Sequence, residues 1–100
     1  MKIIDCKEYD LNGAEQVITL CAEGTGSTVT GVTYVQVISD GAVTLKGYID
    51  GVNAVDVTPI NAISYATGPI TKAGIYMVAT EAYTKLGITG QGKVIVKRLY

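Results

Sequence analysis

The side chains of this 100-residue chain that could carry acid–base or metal chemistry are nine carboxylates and two cysteines, and there is no histidine. Without imidazole the commonest general base and metal ligand is missing, and with it the Ser-His-Asp and Cys-His arrangements. Cys6 and Cys21 lack Cys-x-x-Cys spacing, and a zinc site would need ligands the chain does not have. The carboxylates read as turn chemistry. Asp40 and Asp50 each precede a glycine, and Asp10 and Glu15 flank Asn12-Gly13. No EF-hand run offers calcium its oxygen ligands. The Gly-rich stretch Glu23–Thr28, EGTGST, lacks the GxxxxGK[ST] spacing of a phosphate loop and reads as a surface loop. The expectation is a protein with no catalytic residues, no metal site and no cofactor. It is not expected to be an enzyme.

What remains is surface chemistry. Seven tyrosines stand without a single Trp or Phe. Tyrosine joins a large apolar body to a polar tip and is enriched at protein interfaces. Tyr34, Tyr48, Tyr65 and Tyr100 are the candidate interface residues, and Tyr48 falls on a predicted wet strand face beside Lys46. Stacking of single-stranded nucleic acid needs aromatics in a basic groove. The net charge of −1 argues against that, and the one basic cluster, Lys93, Lys97 and Arg98, reads as a solvated strand face. No apolar run reaches the 18 residues of a membrane span. The first ten residues, MKIIDCKEYD, bring charges too early for a signal-peptide core, so synthesis in the cytosol is expected. Cys6 and Cys21 lie in neighbouring predicted strands and could face each other, but buried thiols are favoured over a disulfide. Only 17% of residues are charged, below the usual quarter, which points to buried interfaces and a homo-oligomer.

These residues must be positioned by one domain spanning 1–100, since the length leaves no room for a second core. Val, Ile and Thr make up about a third of the chain, the composition of pleated, half-buried surfaces. Turn signals recur at Asn12-Gly13, Asp40-Gly41, Asp50-Gly51, Gly68-Pro69 and Gly90-Gln91-Gly92. The first strand is predicted over Lys2–Glu8, and Asn12-Gly13 supplies a tight turn into a central strand over Gln16–Ala22. Val32–Ser39, Val43–Ile49 and Val52–Val57 read as a three-strand meander joined by type I′ turns. Gly47 interrupts the inner face of its middle strand and marks a bulge or a close backbone approach. Ile60–Thr67 reads as a further short strand or extended connection, Lys85–Gln91 as a hairpin excursion and Lys93–Tyr100 as the last strand. The whole predicts an all-β, antiparallel β-sandwich or jelly-roll-like fold of seven or eight short strands. Val52–Val57 and the N-terminal strand are its expected edges.

The densest apolar run, Ile75–Ala79 within Ile70–Tyr83, is expected to be a core strand around which the rest is organised. A single helix near 75–86 competes, because Ile75, Val78, Ala79, Ala82, Tyr83 and Leu86 also fit the helical period and Gly87 suits a helix end. Thr71, Thr80, Thr84 and the β-branched and aromatic content favour the strand.

The same run, ITKAGIYMVATEAY, followed by a Gly-rich turn and GKVIVK, resembles the C-terminal part of small β-sandwich proteins carried on the virions of tailed bacteriophages. The resemblance covers the last thirty or so residues. It rests on Gly74 before the strand, Tyr76 and Val78 within it, and Gly92 before the final strand. Glu81-Ala82-Tyr83 departs from the small residue or glycine that precedes the aromatic in that pattern. The resemblance implies a virion structural component such as a capsid decoration, head-fibre or tail-associated protein, with a capsid-associated (decoration or auxiliary) protein favoured, whose partners are other capsid or tail proteins. It implies no catalytic residues. The competing expectation is a β-sandwich binding module that recognises a carbohydrate or peptide through exposed tyrosines such as Tyr34 and Tyr48.

Overall fold

The computed structural model describes residues 3–20, 31–49, 52–57, 59, 70–81 and 83–99. Every regular element among them is a strand: β1 (Ile3–Asn12), β2 (Gln16–Thr19), β3 (Val32–Val37), β4 (Val43–Tyr48), β5 (Ala54–Asp56), β6 (Gly74–Ala79) and β7 (Lys85–Leu99). All pairings are antiparallel. The all-β expectation holds, in the form of a seven-stranded sheet bent into a half-barrel.

The spine is β7, not the Ile70–Tyr83 segment. Its C-terminal half pairs with β1 on one side and β3 on the other, and its N-terminal half pairs with β2 and β4. β6 extends the first group beside β3, and β5 extends the second beside β4. Two four-strand layers, β1-β7-β3-β6 and β2-β7-β4-β5, therefore share one long strand that turns the corner between them. The corner lies at Gly90-Gln91-Gly92, where β4 pairing stops and β1 pairing starts. Gly92 has φ +90°, a conformation that side chains with a Cβ rarely adopt. Gly13, at φ +92°, bends the neighbouring track in step and donates its N–H to the Gly90 carbonyl at 2.8 Å.

This arrangement corrects three predicted turns. Asn12-Gly13 does not close a hairpin, because β1 and β2 run one after the other along β7. Asp40-Gly41 likewise joins β3 to β4 in line along β7, without pairing them. Its carboxylate accepts from the Ala73 N–H at 2.8 Å, and the Gly41 N–H donates to the Thr71 carbonyl at 3.2 Å. Gly90-Gln91-Gly92 is a bend inside β7, so the predicted hairpin excursion and last strand are one strand. The meander survives only as the β4–β5 pair, and its Asp50-Gly51 turn lies outside the described residues, as do Glu23–Thr28 and 60–67. β2 is not central. Among the described residues it pairs with β7 alone, and Val17 is 51% exposed.

The helix alternative near 75–86 is overturned by the burial period. Tyr76, Val78 and Thr80 are buried while Ile75 and Ala79 are exposed, an alternation of two that only a strand produces. The inner faces of the two layers meet over a core that includes Leu20, Val35, Val43, Ile70, Leu86, Ile88 and Val96, each almost fully buried. Gly47 is the predicted close approach: a Cβ there would meet the Tyr83 ring at 2.7 Å.

Candidate functional site

The two outer faces of the bent sheet differ in chemistry. On the β2-β7-β4-β5 layer the register sets Thr19, Lys85 and Tyr48 in one row, and Val17, Gly87, Lys46 and Asp56 in the next. Its polar groups are largely used up within the layer. Lys46 pairs with Asp56, and the Tyr48 hydroxyl donates to the Glu15 carboxylate at 2.8 Å. That carboxylate lies directly over Gly87, where a Cβ would displace it. Bonding to Glu15 pushes the Tyr48 hydroxyl above its ordinary pKa, because ionisation would set two anions together.

The outer face of the β1-β7-β3-β6 layer is mainly apolar. Antiparallel register gives three rows: Ile3, Leu99, Val32 and Ala79; then Cys6, Lys97, Tyr34 and Met77; then Glu8, Ile95, Gln36 and Ile75. Side chains of these rows line an open groove of about 520 Å³ whose walls include Tyr34, Ile95 and Leu99. At its rim Ile3 is 60% and Ile75 57% exposed, so the apolar surface stands in water rather than inside a cavity. The strands below carry Val94, Val96, Val35, Val37 and Val78 on the opposite, core-facing side. A sheet apolar on both faces is normally covered on both.

The polar groups around this face are few and mostly engaged. Lys93 pairs with Glu8 at 3.1 Å, which raises the lysine pKa. On the core side of the same strands, Arg98 clamps Asp5 with two bonds, Nε to Oδ1 at 2.9 Å and Nη2 to Oδ2 at 2.6 Å. Its Nη1 also donates to the Thr19 carbonyl at 2.6 Å, so one guanidinium ties β1, β7 and the end of β2. The bonded guanidinium holds the Asp5 carboxyl below its ordinary pKa despite partial burial. Among the described residues no three His, Cys, Asp or Glu side chains gather as metal ligands.

Of the four tyrosines singled out from the sequence, Tyr34 lies in the groove and Tyr48 lies on the other layer's face, so the fold does not bring them together. Tyr65 and Tyr100 lie outside the described residues. Cys6 is exposed in the groove, not buried, and Cys21 also lies outside the described residues. Sequence reasoning missed Ile3, Ile75, Ile95, Lys97 and Leu99 as groove residues. The signal was present: Ile95 and Leu99 alternate with Val94 and Val96, which makes both faces of one strand apolar. Comparison of the chain with protein-family models, with curated proteins and with solved structures returns no match.

Proposed function

We propose that this chain is a non-enzymatic structural protein of a phage virion, a capsid-associated decoration or auxiliary protein that works through protein–protein contacts. The observation that carries the assembly part is the apolar outer face of the β1-β7-β3-β6 layer, with Ile3 and Ile75 more than half exposed. Covering such a face releases about 25 cal/mol for each Å² of apolar area, a sufficient drive for association once the fixed costs are met. The virion part is supported by the sequence resemblance across Ile70–Tyr83 and the closing GKVIVK.

Exposed Ile49, Val52 and Val55 at the β4–β5 end of the sheet offer a second apolar surface, suited to contacts between copies in a homo-oligomer. The partners are then other capsid or tail proteins, and no nucleic acid or membrane is invoked. A carbohydrate- or peptide-binding module has one supporting observation, Tyr34 in the groove wall. It is weakened because the Tyr48 hydroxyl is taken by Glu15 on a different face.

Particles from cells producing the chain, separated on a density gradient and probed with an antibody to it, test this function. The chain is expected in the particle fractions after a high-salt wash. Antigen confined to the soluble fractions would overturn the virion reading.

A further inference from the structure

We infer that the groove on the β1-β7-β3-β6 layer docks a segment of a different protein, one that carries a carboxylate between apolar side chains and pairs it with Lys97. The inference rests on the assembly reading and names the chemistry of the partner at that surface.

Lys97 stands in the middle row of the groove between Cys6 and Tyr34, with Leu99 and Ile95 in the rows on either side. Among the described residues its ammonium has no ion pair, whereas Lys93, further along β7, is held by Glu8. The groove walls contain no carboxylate, and Glu8, at the end of the third row, is held by Lys93. A cover made only of apolar atoms would strip water from this ammonium and return nothing, so a stable cover must bring an anion.

Among the described residues, a second copy does not offer that anion unpaired beside an apolar patch. A two-fold contact sets a patch against itself, which would bring the Lys97 rows together, and the described acid of this face, Glu8, is already held by Lys93. Elsewhere among the described residues, exposed apolar side chains with a described carboxylate close by are Val55 beside Asp56, Val17 near Glu15 and Ile38 near Asp40. Each of those carboxylates is engaged, by Lys46, by the Tyr48 hydroxyl and by the Ala73 N–H respectively.

The scale of the face suits a segment. Four strands at about 4.8 Å spacing and three rows two residues apart make a surface about 14 Å on each side. An extended segment of about four or five residues, or a helix of about two and a half turns, spans that length. A small molecule resting on so open a surface would stay largely in water, contrary to the enclosure that small-ligand sites provide.

A library of random twelve-residue peptides displayed for selection against the full-length protein tests the inference. The expected binders share an Asp or Glu flanked by apolar residues. A synthetic copy of the strongest binder should lose about 30-fold or more in affinity against Lys97→Glu and about tenfold against Ile75→Asp. It should change less than about threefold against Lys85→Glu, whose side chain lies on the other layer's outer face. Exchanging the peptide's acid for lysine should recover binding to Lys97→Glu, which a misfolded variant could not give. No shared acidic motif, or unchanged affinity for Lys97→Glu, overturns the inference. A wild-type dimer, seen by light scattering, that Ile75→Asp dissolves would overturn it in favour of a second copy. Failure here with the chain still found in particles leaves the assembly reading standing, so the two can fail separately.

Discussion

Replacing Asp5 by asparagine removes one charge from the clamp that joins β1, β2 and β7 while keeping its shape. In the native protein Arg98 bonds Asp5 at 2.9 and 2.6 Å, and the two side chains are 17% and 28% exposed. Breaking a fully buried pair costs about 3–5 kcal/mol, whereas exposed pairs contribute about 0–1 kcal/mol. A two-bond pair in partial contact with water falls between, at about 2 kcal/mol for Asp5→Asn at pH 7. For a chain of this size that lowers the urea midpoint by about 1–2 M. The pH dependence follows from the lowered carboxyl pKa. A group whose folded pKa is depressed contributes stability above its unfolded value, 3.8 for Asp5, and loses it as pH falls through the folded value. The gap between the native protein and Asp5→Asn should therefore be full at pH 7, begin to shrink near pH 4 and close below the folded pKa. A double-mutant cycle with Arg98→Met separates the pair from the Thr19 bond. A gap under about 0.5 kcal/mol at pH 7, or one unchanged at pH 2, would refute the clamp.

Three further changes probe the fold. Gly47→Ala sets a methyl against the Tyr83 ring at 2.7 Å and should cost about 1–3 kcal/mol in urea unfolding, with Gly47→Ala/Tyr83→Ala costing less than the sum of the single changes. Gly92→Ala forces a Cβ onto φ +90° at the β7 corner and should cost about 1–2 kcal/mol, where an exposed substitution such as Gln91→Ala should stay within about 0.5 kcal/mol. Thr33→Val deletes the buried 3.1 Å hydroxyl contact to Thr80 that helps join β3 to the end of β6, and should lower stability by about 1 kcal/mol in thermal or urea unfolding.

The strand content was legible because it depends on period and composition, both of which survive any rearrangement of strands. Burial in β4 and β6 follows the alternation seen in the sequence, and Gly47 announced its close contact as a gap in an apolar face. Pairing was less legible. Asn12-Gly13, Asp40-Gly41 and Gly90-Gln91-Gly92 have the residues of hairpin turns, but the same left-handed or permissive backbone lets a strand turn a corner. Which outcome wins depends on whether the flanking strands find each other or a shared third strand. Here fifteen-residue β7 offers partners to both halves of each track. The groove was hidden for the same reason: its rows combine Cys6, Lys97 and Tyr34 from distant parts of the chain. Tyr34 and Tyr48 lie on different outer faces because β3 and β4 belong to different layers, a separation that strand period alone does not reveal.

Cys6 provides a native reporter for the covered face, because its exposed thiol lies in the groove. The decisive measurement is its alkylation rate by a maleimide, read by mass spectrometry of the Cys6 peptide, in the free protein and in purified particles. If the outer face of the β1-β7-β3-β6 layer is the contact surface, Cys6 reacts readily in the free chain and about tenfold or more slowly in particles. Equal rates in the two states, or particles that lack the chain, would contradict it.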